Sequence, residues 1–222
     1  MRATTVIAIG ILAIILIASG MQISKLKSPT GQSVLTTVEI TGATTEAVCT
    51  IKIREGLNLI SNACDIANST PVKVFATLNG SYQGVFTYDS TDSDKWKAYN
   101  PNLPGWVVND LTNITTEKGY YVLANSTATL VVNGSVNSIN IFAVRKGLNL
   151  IGYPILSSKT VANAFSTLSA GQLVTIYAYN STTGRYEFFD MRNSTGNLTL
   201  ITTGRGYFIN ITSDANWGVI DG

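Results

Sequence analysis

The chain contains the same pattern twice. Residues 53–58 read I-R-E-G-L-N and continue as Leu59-Ile60, and residues 144–149 read V-R-K-G-L-N and continue as Leu150-Ile151, an offset of 91. Residues 114–122 (I-T-T-E-K-G-Y-Y-V) return as 201–209 (I-T-T-G-R-G-Y-F-I), an offset of 87. Between these anchors Phe75 and Leu78 answer to Phe165 and Leu168, Trp96 to Tyr186, and Tyr99 to Phe189. A repeat of this length constrains the fold more than any single motif, because each copy must bury its own apolar face. The matched positions are apolar, aromatic or glycine, so the repeat preserves packing and turns and no catalytic set.

Each copy reads as a run of short strands with Gly, Asn and Ser turns, which points to small sandwiches or barrels. The expected fold is therefore mainly β: two tandem β-sandwich or barrel-like repeats, at 48–136 and 137–222. Within each copy a short helix follows the G-L-N-L-I stretch. Thr70-Pro71 supplies a capping oxygen before a proline at the first helical position, and Val161, Phe165 and Leu168 have helical spacing. Gly119 and Gly206 are read as bulge or tight-turn positions. The G-Y-Y-V and G-Y-F-I strands are expected to close the two copies. Trp96, Tyr99, Tyr120, Tyr121, Tyr177, Tyr179, Tyr186 and Tyr207 fall at strand spacing and read first as core or interface, with a carbohydrate platform as the alternative.

The first 47 residues stand apart. Residues 6–18 are an uninterrupted apolar run after Arg2, and the stretch from Thr4 to Ile23 approaches the roughly 20 residues needed to span a hydrocarbon core. Residues 1–28 are thus a hydrophobic helix, either a cleaved signal or a retained anchor, and each option sends the rest of the chain outward. A linker at 29–47 carries a β-branched strand at 33–40, with Val34, Thr36, Val38 and Ile40 on one face, followed by a flexible joint at 41–45. That strand has no intramolecular partner evident in the sequence.

N-x-S/T occurs at Asn68, Asn79, Asn113, Asn125, Asn133, Asn180, Asn193, Asn197 and Asn210. Nine acceptors after residue 60 read as N-linked glycans on an extracellular surface, with Asn79, Asn133, Asn180 and Asn193 the best placed. Cys49 and Cys64 are an even pair, either a disulfide or two buried thiols; the outward-facing compartment favours the disulfide.

Chemistry is sparse. Histidine is absent, which removes the usual general base and the commonest metal ligand. The thirteen acids are spread thinly and no pair recurs in both copies. The segment 89–94 (D-S-T-D-S-D) has oxygen ligands suited to Ca²⁺ but lacks the rest of an EF-hand loop, so a solvated hairpin tip is the reading. No catalytic residue, metal site or cofactor is expected, and the near-balanced charge of +2 gives no footprint for nucleic acid.

The pattern G-L-N-L-I, an aromatic middle and a closing G-Y-[YF]-[VI] resembles a repeat of prokaryotic, especially archaeal, secreted and cell-surface proteins. The likeness covers most of residues 50–210, with Leu57 and Leu148 where tryptophan is common. The whole layout is similar to archaeal surface-filament subunits of the thread and pilus kind. That resemblance implies a non-enzymatic, glycosylated, extracellular subunit whose partners are copies of itself. Assembly would proceed by donation of the 33–40 strand to a neighbour or by bundling of the N-terminal helix. A membrane-anchored surface-layer or adhesin protein, or a secreted carbohydrate-binding protein, is the alternative.

Overall fold

The computed structural model describes residues 43–221 except Gly105 and Val108. The expected hydrophobic helix and the strand carrying Val34, Thr36, Val38 and Ile40 lie outside the described residues.

The repeated R-x-G-L-N segment is a corner. Gly56 and Gly147 take φ of +90° and +93°, a region that glycine enters without steric cost. Two residues on, the buried Asn58 clamps the turn. Its Oδ1 accepts from Arg54 N (2.9 Å), and its Nδ2 donates to the carbonyls of Arg54 (2.7 Å) and Gly56 (3.1 Å). Asn149 repeats the clamp on Arg145 and Gly147 at 2.9, 2.6 and 3.1 Å. Each corner hands the chain from one sheet to another.

In the first half, β1 (Thr44–Ile53) enters the corner and β2 (Gly56–Ile60) leaves it. A one-turn helix α1 (Pro71–Val74) and a 3₁₀ turn (Ala76–Leu78) precede β3 (Tyr82–Tyr88), β4 (Trp96–Tyr99), β5 (Tyr120–Ala124) and β6 (Ala128–Asn137). Strands β2-β5-β3-β4 form one antiparallel sheet, while β1 pairs along its whole length with β6. The core lies between these two sheets and includes Ile53, Phe75, Leu78, Val85, Tyr120 and Leu130.

The second half runs β7 (Ile139–Val144), β8 (Gly147–Ile151), β9 (Lys159–Thr160), α2 (Val161–Ala164), β10 (Leu173–Asn180), β11 (Arg185–Asp190), β12 (Thr195–Gly196), β13 (Leu200–Ile201), β14 (Tyr207–Ile211) and β15 (Ala215–Ile220). Its large sheet has the order β8-β14-β10-β11-β12, and β7 pairs with β15 as β1 does with β6. A small β9-β13 pair lies apart. The core again has its own residues, among them Tyr153, Phe165, Ile176, Tyr207 and Trp217.

The chain is thus mainly β, built of antiparallel sheets. In both halves the closing tyrosine reaches back five residues. Tyr120 OH accepts from Thr115 N (2.7 Å) and donates to Thr115 O (3.3 Å), and Tyr207 does the same with Thr202 at 2.7 and 3.3 Å. The shared I-T-T and G-Y segments are the two ends of this contact.

Several local expectations change. The joint at 41–45 is in part strand, because β1 starts at Thr44, opposite Asn137. The G-Y-Y-V and G-Y-F-I strands do not close the halves; β6 and β15 follow them and complete the smaller sheets. Thr70 does not cap α1 with its side chain, since its hydroxyl donates instead to Asn68 Oδ1 (2.9 Å), whereas Thr160 does cap α2.

Candidate functional site: the junction between the halves and the surface around it

Apart from the corner asparagines Asn58 and Asn149, strands 57–60 and 120–123 carry apolar or aromatic residues on both faces, as do 148–151 and 207–209. Strands of that composition are covered on both sides. The second faces of the two large sheets meet each other. Leu59 and Tyr121 from the first half pack with Leu150 and Phe208 from the second, rimmed by Tyr88, Tyr177 and Tyr179. Tyr121, Tyr88 and Trp96 stand with ring centroids 6.1, 6.3 and 6.5 Å from Phe208. The Tyr121 and Tyr186 hydroxyls share a short hydrogen bond.

The contact is reciprocal. Gly119 N donates to Leu150 O (3.4 Å), and its counterpart Gly206 N donates to Leu59 O (3.3 Å). Ser61 N reaches Gly204 O (3.2 Å), and Gly152 N reaches Glu117 O (2.8 Å). Single bridges join Ile60 to Arg205 and Lys118 to Ile151. Equivalent residues exchanging equivalent bonds is the signature of an isologous interface, here within one chain.

This arrangement gives Gly119 and Gly206 a different reason from the expected bulge. Neither is among the positive-φ residues. A Cβ on Gly119 would stand 2.9 Å from Ile151 O, and one on Gly206 2.7 Å from Ile60 O and 3.2 Å from Gly119 Cα. Glycine is required because two backbones touch there.

Two clefts flank the junction at matching positions. One, about 250 Å³, is lined by Tyr88, Asp89, Ser90, Glu117, Lys118, Phe142 and Asn149. The other, about 360 Å³, is lined by Ile51, Lys52, Asn58, Tyr179, Asn180, Ser181, Gly204 and Arg205. Ser90 Oγ donates to Asn149 Oδ1 across the first (3.1 Å). Their cations are held differently: Lys118 by Asp89 (2.6 Å), Arg205 by Glu187 (2.8 Å). Hydrogen bonds from Lys118 and Thr91 hold the Asp89 carboxyl well below the usual range. Burial pushes the Tyr120 phenol up to about 12.

The remaining acids of the 89–94 segment, Asp92 and Asp94, converge with Asp110 on a cation of the same chain. Asp92, Asp94 and Asp110 lie 3.1, 3.8 and 3.9 Å from Lys97 Nζ. Their charge is therefore met by an ammonium group at the hairpin between β3 and β4. Among the described residues, no cluster of three or more His, Cys, Asp or Glu side chains could hold a metal ion.

Cys49 and Cys64 form a disulfide, with Cα atoms 5.8 Å apart and both side chains buried. It ties β1 to the segment after β2. The second half has Ile155, fully buried, where the first has Cys64, so apolar packing replaces the covalent tie. Trp217 adds to that packing, stacking on Phe165 at 5.1 Å and donating from Nε1 to Ala164 O (2.8 Å).

The sequon asparagines sort by exposure. Asn68, Asn79, Asn113, Asn125, Asn133, Asn193, Asn197 and Asn210 are exposed. Asn180 is half-buried at the edge of the larger cleft, with Nδ2 donating to Glu187 Oε1 (2.7 Å). The four buried asparagines, Asn58, Asn62, Asn140 and Asn149, all lie outside N-x-S/T.

Several sheet edges are covered. Beside β4, Asp110 Oδ1 accepts from Ala98 N (2.6 Å), Leu111 N donates to Ala98 O (3.0 Å), and Asn109 Oδ1 accepts from Asn100 N (2.8 Å). The outer side of β6 meets Asp65 through Ser135 and the Thr77 hydroxyl through Val131 N. Thr167, the counterpart of Thr77, brackets Gly218 on β15. The edges of β2 and β8 are engaged at the junction. Among the described residues, no backbone group pairs with the outer edges of β1 or β7. No protein-family model matches the chain, nor does any curated protein or solved structure.

Proposed function

We propose that this chain is a structural subunit of an extracellular, N-glycosylated, pilus- or thread-like surface filament. In this reading its two halves are tandem sandwich-like repeats of one duplicated unit, preceded by a hydrophobic helix and a strand. The subunits join when the 33–40 strand of one enters the sheet of the next. The supporting observation is the uneven treatment of edges. An open edge invites pairing and is usually blunted. Here capping groups guard β4, β6 and β15, while the ten-residue β1 has only β6 beside it among the described residues. An incoming strand would satisfy its free backbone groups and gain main-chain bonds along its length. The exposed sequons fit a glycosylated outer surface, and the buried disulfide fits an oxidising compartment.

The test is a Thr36→Pro substitution, which removes a backbone donor from the proposed strand without touching the described fold. Filaments should disappear while near-ultraviolet circular dichroism of the head is unchanged. Filaments of normal length and yield would overturn strand donation. The adhesin alternative draws on Trp106, which is 82 % exposed on the long connection between β4 and β5. Loss of surface attachment with intact filaments in Trp106→Ala would favour it.

A further inference from the structure

The junction between the halves is built as a dimer interface is built, yet it closes within one chain. Three features set it apart from an ordinary contact between sheets. Its contacts are reciprocal, as Gly119–Leu150 and Gly206–Leu59 show. Each half is drawn from one continuous stretch of sequence with a core of its own. Only Ser138 separates β6 from β7, and the chain bends there. That bend is braced by Asn140 Nδ2 donating to Asn137 O (2.8 Å) and by Asp221 N donating to Ser138 O (2.7 Å).

We infer that a second copy of this chain binds by exchanging halves. The bend at Ser138 opens, and the first half of each molecule pairs with the second half of the other. Every junction contact is kept in the exchanged pair, so closed and exchanged forms differ in the hinge and in the entropy of association. A short hinge between two separately cored units is the setting in which such exchange costs least. The interface is the one already described, and the partner is identified by it: a surface presenting Leu150, Phe208 and Tyr186 to Leu59, Tyr121 and Trp96. This inference goes beyond strand donation and does not depend on it, since residues 33–40 take no part.

The Tyr121–Tyr186 contact supplies the test. Under photo-oxidation with a ruthenium tris-bipyridyl complex and persulfate, each phenol loses one electron and one proton. The two rings then join through ortho carbons as dityrosine. Full-length Tyr121→Phe and Tyr186→Phe chains are co-produced and oxidised together. A closed chain of either variant lacks one of the two phenols and cannot form the Tyr121–Tyr186 cross-link, although Tyr179 still stands 5.3 Å from Tyr186. An exchanged pair has one junction with both phenols, so a covalent dimer with a Tyr121–Tyr186 cross-link is expected by mass spectrometry. Coupling confined to single chains in the unsubstituted protein, with none in the mixed pair, would overturn the exchange. Absence of coupling in the unsubstituted protein would overturn the junction itself. As a second readout, a Gly-Ser insertion after Ser138 should let the halves close in cis and abolish the dimer peak in size exclusion of the detergent-solubilised chain. A dimer peak that survives the insertion counts against the proposal. Running both readouts on the Thr36→Pro chain separates the two ideas: the exchanged dimer persists there even if filaments are lost.

Discussion

Gly206 stands against Gly119 where the two halves meet: a Cβ built on Gly206 would lie 3.2 Å from the Gly119 Cα. Side chains at either position would wedge the two backbones apart. Gly119→Ala also brings a methyl to 2.9 Å from Ile151 O, and Gly206→Ala to 2.7 Å from Ile60 O. Each substitution should destabilise the protein by about 1–3 kcal/mol, the usual cost of overpacking. It should also weaken Tyr121–Tyr186 coupling. Urea unfolding of the single variants measures the first effect, and an unchanged midpoint would show that the backbones do not touch.

Asn58 and Asn149 hold the two corners through three backbone bonds each. Replacing either by alanine leaves part-buried main-chain groups of Arg54 or Arg145 without their side-chain partner. The expected cost is about 1–2 kcal/mol per site, the lower part of the range for polar groups left without a partner. If the corner glycines alone set the turn, the alanine variants will unfold with the parent, and the clamp has no energetic role.

The repeat was legible because these clamps need fixed residue types at fixed spacing: Arg-x-Gly-Leu-Asn for the corner, I-T-T followed by Gly-Tyr for the tyrosine contact. The disulfide was legible as one of two options for an even cysteine pair. By contrast β6 and β15 left no matched pattern, since Leu130 and Trp217 fill corresponding core sites with different shapes and the pairing is made by the backbone. The junction was written in the sequence as strands apolar on both faces, but pattern alone does not say which surface covers the second face. Gly119 and Gly206 were conspicuous for the same reason, and sequence could not distinguish a bulge from a close approach of backbones. Which edges remain open follows from loop side chains such as Asp110 and Thr77, whose reach depends on the folded chain.

Reduction should separate the halves in stability. The Cys49–Cys64 bond closes a loop of fifteen residues in the first half alone, worth about 3 kcal/mol on the loop-entropy model. With Cys49→Ala/Cys64→Ala, hydrogen exchange in β1 and β2 should accelerate, while β8, β10 and β14 stay protected. Uniform acceleration across both halves would mean that they unfold as one unit.

The Asp89–Lys118 pair braces residues 117–119 where they meet β8. The Asp89 carboxyl is held below its ordinary value in the folded chain, so the folded state binds its proton less readily than the unfolded one. Its contribution is present in full above the usual carboxylate range near pH 4, begins to fall below it, and is lost as pH drops through the lower value of the folded chain. Since both side chains are partly exposed, that contribution is about 1 kcal/mol or less. Asp89→Asn should therefore lower the urea midpoint at pH 7 and lower it by less at pH 2. A constant difference at both pH values would place the effect of the substitution elsewhere.

Glycan occupancy should follow the structure rather than the sequon alone. Eight of the nine acceptors are exposed, but the Asn180 amide nitrogen already donates to Glu187, and its Oδ1 accepts from Thr182 N (2.9 Å) and Thr183 N (3.3 Å). A glycan on that nitrogen would have to displace the Glu187 bond at the edge of the larger cleft. Asn79, Asn133 and Asn193 have no such engagement among the described residues. Glycopeptide mass spectrometry on native material should therefore find these three modified and Asn180 the least occupied. Glu187→Ala, which frees the amide, should raise Asn180 occupancy if folding precedes modification. High occupancy at Asn180 in the unsubstituted chain would mean that the sugar is added before the β10–β11 hairpin forms, and that the junction cleft of the mature protein is built around it.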